Sequence, residues 1–83
     1  MYDVVEINST DVTVLSKQEL DGFKSQQLRV AGLDMTLEEA KSMAIDLAGE
    51  YVAESPIYGV IDEEGVIWYQ VYMEDGMLFC HRP

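Results

Sequence analysis

The chain has 83 residues and a formal net charge of −11, with 16 acidic and 5 basic residues. Hydrophobic residues make up 48% of it, which is too apolar for a disordered acidic tail and predicts one small folded domain. The scarcity of Lys and Arg argues against direct binding of nucleic acid. No secretory signal begins the chain, its one cysteine cannot form an internal disulfide, and no apolar run approaches the ~20 residues that span a bilayer. We therefore expect a cytoplasmic protein that does not bind membranes.

The segment before Thr36 combines strand composition with one helix signal. Tyr2 to Ile7 and Asp11 to Leu15 are rich in β-branched residues and predict either one hairpin or one bent strand. Ser16-Lys17-Gln18-Glu19 has the spacing of a capping box, in which the serine oxygen accepts a first-turn amide hydrogen. A short helix should follow, with its apolar side formed by Leu20, Phe23 and Leu28.

A longer helix is predicted to begin at Thr36. Thr36-Leu37-Glu38-Glu39 is a second capping box, because the threonine oxygen can accept an amide hydrogen while Glu39 reaches back to the Thr36 amide. Gly49 and Pro56 predict that this helix ends between Glu50 and Ala53. Apolar residues recur at helical spacing and indicate one face packed on a sheet. They are Leu37, Ala40, Ala44, Leu47, Ala48 and Tyr51, with Met43 on the flank.

Three strands are predicted after this helix. They run from Ile57 to Ile61, from Val66 to Met73 and from Met77 to His81. The two segments between them are acidic and contain glycine, which permits the positive φ of a tight turn. This pattern favours an antiparallel meander.

Alternation along the middle strand assigns its side chains to two faces of the sheet. Ile67, Val71 and Met73 are predicted to face the core. Trp68 and Tyr72 are then on the opposite face, either as an exposed aromatic patch or beneath the N-terminal segment. The expected fold is an α+β two-layer domain, with one main helix packed on an antiparallel sheet and a C-terminal three-strand meander, in the order β, (β), short α, α, β, β, β.

The sequence lacks the side-chain sets that common enzyme and metal sites require. The only histidine, His81, directly follows the only cysteine, Cys80, on a predicted strand. Their side chains should point to opposite faces, so they make a poor catalytic pair, and we expect Cys80 in the core. Zinc and calcium ligand patterns and the phosphate-binding glycine motifs are missing. Two acids facing a cleft would be an alternative, although a chain this short rarely builds one. We expect no enzymatic activity, no metal and no cofactor.

Half of the acidic residues lie in a stretch without Lys or Arg, from Ser42 to His81. Asp46 and Glu50 are predicted to form, together with Glu39, a solvent-facing stripe on the longer helix. Other acids occupy the turns at the two ends of the middle strand, roughly 25 Å apart at ~3.3 Å per residue. Solubility is one explanation of such a surface. The other is a strongly basic partner, for example a protein groove that normally holds nucleic acid, with carboxylates replacing phosphates and aromatic anchors adding contact area. The residues predicted to contact it are Glu39, Asp46, Glu50, Asp62, Glu63, Glu64, Trp68, Tyr72, Glu74 and Asp75.

The second part of the chain follows a recognisable order of elements. Thr36-Leu37-Glu38-Glu39-Ala40-Lys41 precedes strands that contain Gly65-Val66-Ile67-Trp68-Tyr69 and Tyr72-Met73-Glu74-Asp75-Gly76. This helix start and these hairpins resemble those of small phage-encoded inhibitors, including some anti-CRISPR proteins of type I systems. The resemblance implies an inhibitor that competes with DNA for a host defence complex in the host cytoplasm. It carries over no catalytic residue, because such proteins act by occupancy.

Two functions of different classes are expected from these observations. The first is a non-enzymatic acidic protein that inhibits a nucleic-acid-binding host complex by occupying its basic DNA-binding surface. The second is a structural or assembly module, in which the exposed sheet face or an unpaired edge at Met77 to Cys80 pairs two copies into a homodimer. An enzyme, the third class, would require a cleft that holds a carboxylate with a perturbed pKa.

Overall fold

A five-stranded antiparallel sheet with one main helix across it forms the domain. The computed structural model describes residues 1–26 and 30–83, including their side chains except those of residues 24–26. The strands lie side by side in the order β2-β1-β3-β4-β5. The predicted α+β fold with its C-terminal meander is confirmed. The elements are β1 (Tyr2–Ile7), α1 (Lys17–Gln26), β2 (Val30–Met35), α2 (Leu37–Gly49), β3 (Ile57–Ile61), β4 (Ile67–Glu74) and β5 (Met77–His81).

The main helix, α2, begins with the predicted capping box. Thr36 Oγ1 accepts the backbone N–H of Glu39 (3.1 Å), and Glu39 Oε1 accepts the backbone N–H of Thr36 (3.1 Å). Two of the donors that a helix leaves unpaired at its start are satisfied in this way. The helix ends at Gly49, with Glu50 as its C-cap, which agrees with the predicted end.

Alanines let α2 lie close to the sheet. Ala40, Ala44 and Ala48 are each 0% exposed and occur four residues apart on one face. Their short side chains leave little distance between the helix backbone and the strands, so larger side chains from the sheet fill the space. The main core cluster joins these alanines to Val4, Tyr58, Val60 and Val71.

A second, smaller cluster lies on the reverse face of the sheet. It contains Leu15, from the segment before α1, together with side chains of β1, β3 and β4. Leu20 and Phe23 of α1 pack against it, as predicted for the short helix. Ser16 caps that helix, since its Oγ accepts the backbone N–H of Glu19 (3.1 Å). Leu28, the third residue of the predicted apolar side, lies outside the described residues.

The prediction of a strand from Asp11 to Leu15 is wrong. This segment makes one isolated bridge, between Val14 and Val66, with backbone hydrogen bonds from Leu15 N–H to Gly65 O (2.8 Å) and from Ile67 N–H to Thr13 O (3.0 Å). The Gln70 side-chain amide adds a hydrogen bond to Val12 O (2.9 Å). The strand that pairs with β1 is instead β2, for which no strand was predicted. Its sequence, Val-Ala-Gly-Leu-Asp-Met, lacks a β-branched run, and Asp34 has a positive φ (55°). Pairing with β1 therefore overrides weak local propensity.

A bulge in β4 overturns part of the predicted face assignment. Ile61 pairs with Ile67, but Val60 pairs with Tyr69, so Trp68 is an additional residue in β4. The alternation of side chains shifts there. As a result Ile67 lies in the reverse-face cluster, whereas Val71 packs under α2, and the two do not share a face.

Candidate functional site

The carboxylate of Asp62 organises the acidic turn between β3 and β4. Its Oδ1 accepts the backbone N–H groups of Glu64 (2.8 Å) and Val66 (3.0 Å), and its Oδ2 accepts Trp68 Nε1–H (3.0 Å). Gly65 has a φ of 85°, and a Cβ there would lie 2.7 Å from a backbone oxygen of the neighbouring segment. The turn therefore has one well-defined conformation.

The three acids of this turn do not have equivalent environments. Partial burial raises the pKa of Asp62, but the hydrogen bonds from Trp68 and from the turn amides outweigh burial and hold that pKa below its usual range. Its oxygens are occupied by donors of the same chain. Glu63 and Glu64 are exposed. Asp62 thus supports the turn, and the next two carboxylates place negative charge at the protein surface.

The second acidic turn joins β4 to β5. Asp75 and Gly76 have φ values of 51° and 75°, as in a two-residue hairpin turn with both central residues left-handed. Glu74 and Asp75 are exposed. The two turns lie at opposite ends of β4, about 25 Å apart for a strand of this length. Negative charge is therefore present at both ends of this part of the sheet.

The acidic stripe of α2 is exposed, as predicted. Asp46 and Glu50 lie on the solvent side of the helix. Glu39 is exposed as well, but it serves the capping box, and the hydrogen bond from the Thr36 backbone N–H holds the pKa of its carboxyl below the usual range. Asp46 and Glu50 are consequently the freer charges of this stripe.

An open groove between α2 and the β2 end of the sheet accompanies the acidic helix face. Its volume is about 700 Å³. The half-buried side chains of Met35, Met43 and Leu47 line it together with the exposed carboxylates of Glu38 and Asp46. The sequence did not identify this groove, because Met35 belongs to the strand that was not predicted. Flexible methionines beside carboxylates suit contact with long basic side chains, whose stems are apolar.

Of the two arrangements expected for Trp68 and Tyr72, a shared exposed aromatic patch does not form, and Trp68 instead contacts Tyr2 of the N-terminal segment. Trp68 is half-buried, meets the Tyr2 ring edge to face (centroids 5.7 Å apart) and lies beneath the guanidinium of Arg82 (4.8 Å). Tyr72 is also half-buried and stacks on Phe79 (5.3 Å). Because the bulge places Trp68 beside Tyr2, the two predicted anchors lie in separate environments.

Few of the carboxylates are neutralised within the protein. Among the residues that the structure describes, one ion pair occurs, between the Met1 amino group and Glu63 Oε1 (3.2 Å), and both groups are exposed. Lys41 lies over the Tyr69 ring (4.6 Å) and Arg82 over Trp68, so these two cations contact aromatic rings rather than carboxylates. The described surface consequently keeps most of its negative charge unpaired.

Other site types and the comparisons give no further assignment. In the described ranges, Cys, His, Asp and Glu side chains form no group of three that could hold a metal ion. Cys80 is exposed, which corrects the expectation that it lies in the core. No helix in residues 1–26 or 30–83 is long and apolar enough to cross a membrane. No family model, curated protein or solved structure matches this chain.

Proposed function

We propose that this protein is a non-enzymatic acidic inhibitor that binds a nucleic-acid-binding host complex and occupies its basic DNA-binding surface. The anti-CRISPR and other phage anti-defence proteins are the functional class that this proposal favours. One observation carries it: the chain has 16 acids, and its described residues form a single internal ion pair. Unpaired surface carboxylates repel one another, and a basic partner relieves that repulsion.

The exposed acids would act as substitutes for phosphates. Glu63, Glu64, Glu74 and Asp75 belong to the two turns, and Asp46 and Glu50 extend the negative surface along α2. Long-range attraction between this surface and a basic groove speeds association. The turn that holds Glu63 and Glu64 is already ordered by Asp62, so binding there costs little conformational entropy.

The groove beside α2 would supply contact area that charge alone does not. Its methionine and leucine side chains can pack against the methylene stems of Lys or Arg, while Glu38 and Asp46 lie near the charged ends. Trp68 and Tyr72 remain proposed contacts through their exposed portions, although internal aromatic contacts hold both rings. Affinity would then combine an electrostatic and an apolar part.

The first test is a pull-down of the tagged protein from bacterial lysate, with elution by increasing salt and, separately, by DNA. A DNA-binding complex that is released by salt and displaced by DNA is the expected result, because both agents act on the basic surface. A partner that retains its DNA while bound to this protein would contradict occupation of the DNA site.

The second test compares two variants with equal charge. Replacing Glu63, Glu64, Glu74 and Asp75 with Ser changes the net charge from −11 to −7. We expect binding to the recovered complex to weaken about thirtyfold, at ~0.5 kcal/mol for each exposed charge pair. The matched control replaces the exposed acids Asp11, Asp21 and Glu54 with Ser, and Asp34 with Asn, which tolerates the positive φ at that position, and it also has a charge of −7. Equal losses in both variants, by calorimetry at low salt, would show that only net charge matters and not these turns.

A further inference from the structure

The two edges of the sheet differ in how well they could accept another strand. The β2 edge is irregular, since its pairing with β1 shifts register twice and Asp34 has a positive φ. The β5 edge pairs with β4 without interruption and contains neither a bulge nor a lysine. Irregularity protects an edge from pairing with other chains, so β5 is the open edge.

The hairpin geometry determines which backbone groups of β5 point outward. Glu74 pairs with Met77 across the two-residue turn, so this pair exchanges backbone hydrogen bonds. The bonding pattern alternates along an antiparallel ladder, and Phe79 and His81 therefore also bond toward β4. The N–H and C=O groups of Leu78 and Cys80 point away from the sheet. Both side chains are exposed, and no described strand pairs with this edge.

The charge along this edge favours a second copy of the chain in antiparallel orientation. The acidic residues Glu74 and Asp75 precede β5, and the basic Arg82 follows it. Antiparallel self-pairing places the two acidic turns at opposite ends of the contact, each next to Arg82 of the other copy, whose guanidinium would leave the Trp68 ring to reach the carboxylates. Parallel pairing would instead bring like charges together. The edge is thus complementary to itself in one direction only.

We infer that two copies associate through β5 to form a continuous ten-stranded sheet. Full overlap of Met77–His81 with itself places Phe79 opposite Phe79 of the second copy, and Leu78 opposite Cys80 of the second copy. Each Phe79 already stacks on Tyr72, so the contact would extend two aromatic pairs into one cluster. This inference is independent of the proposed inhibitory function, which concerns the acidic turns and α2.

A disulfide test measures the register directly. In the inferred dimer, position 78 and Cys80 of the second copy have Cα atoms about 5.5 Å apart, within the ~4.4–6.8 Å range of disulfides. Leu78→Cys should therefore yield a covalent dimer on mild oxidation, seen on a non-reducing gel. Leu78→Cys with Cys80→Ser should not. In the natural chain the two Cys80 residues are offset by two positions and should cross-link far more slowly. Equal cross-linking of the natural chain, or none in Leu78→Cys, would overturn this register.

A second measurement addresses association without cross-links. Light scattering after size exclusion should show the natural chain approaching twice its monomer mass as concentration rises. Leu78→Lys places a charge on the edge and should raise the dimer dissociation constant about tenfold. Its matched control is Leu33→Lys, the same change at a similarly exposed leucine of β2 (49% against 43%), which should leave association unchanged. A monomer at all concentrations, or equal effects of the two lysines, would overturn the dimer.

Discussion

Adjacent acids in one turn have different roles in this protein. Asp62 accepts three hydrogen bonds within its own chain, whereas the neighbouring Glu63 and Glu64 are exposed. In the sequence these three residues form one acidic run. Only the directions of their side chains show that Asp62 supports the turn while Glu63 and Glu64 carry surface charge. A substitution within the run should therefore affect either folding or binding, depending on the residue.

Replacing Asp62 tests the supporting role. Asp62→Asn removes the negative charge and leaves one side-chain oxygen, which cannot accept all three N–H groups that the carboxylate accepts. The free energy of unfolding at pH 7 should therefore fall by about 1–3 kcal/mol. The folded pKa of Asp62 lies below its unfolded value. Its stabilisation is therefore complete above the unfolded pKa of about 3.9 and is lost as the pH falls through the folded pKa.

Urea unfolding followed by circular dichroism between pH 7 and pH 2 measures this dependence. The difference between the natural chain and Asp62→Asn should narrow on acidification. Glu64→Gln is the matched control, because it removes an exposed charge from the same turn, and it should leave stability within about 0.5 kcal/mol. A difference that stays constant with pH would contradict a role for the ionised Asp62 carboxylate.

At the scale of elements, local signals and long-range pairing had different predictive value. The capping box of α2 and the β4–β5 turn are written within a few consecutive residues, and both were predicted with nearly correct ends. The strand β2 and the bulge at Trp68 were not predicted. The strand β2 depends on pairing with β1, far before it in the chain, and the bulge depends on the register between β4 and the neighbouring strand β3. No pattern of consecutive residues specifies either feature.

The start of α2 provides an element-scale prediction. Thr36→Ala removes the acceptor for the Glu39 backbone N–H and should lower the free energy of unfolding by about 1 kcal/mol. Ser42→Ala is the control, because Ser42 is exposed inside the same helix, and alanine there should be neutral or slightly stabilising. Urea unfolding with an unchanged m value measures both. Equal stabilities of the two variants would contradict a contribution from the cap.

For the whole molecule, the dominant feature is negative charge that the fold leaves unpaired. The main core cluster between α2 and the sheet consists of alanines, valines and Tyr58, and the described carboxylates are exposed or half-buried around the two clusters. Repulsion among those carboxylates opposes the compact state. Binding a basic partner and screening by salt should therefore both stabilise the fold.

Salt dependence tests this account. The thermal midpoint should rise as NaCl is increased from about 0.01 M to 0.5 M, because the Debye length shortens from ~30 Å to a few ångström. The variant with Ser at positions 63, 64, 74 and 75 should respond less, because its charge is −7 rather than −11. A midpoint that falls with salt, or equal responses of the two proteins, would contradict self-repulsion.

The sequence by itself determined the composition of the surface, the start and end of α2, the C-terminal meander and the α+β class. These features follow from caps, spacing and turn residues that act over a few positions. Tertiary structure decided that β2 pairs with β1, that Trp68 lies beside Tyr2 and that Asp62 turns inward. It also decided that the methionine groove accompanies the acidic helix face. The β2–β1 pairing and the Trp68–Tyr2 contact join residues far apart in the chain. The Asp62 hydrogen bonds and the groove depend on the directions that nearby side chains take once the sheet and α2 have packed, which no local pattern encodes.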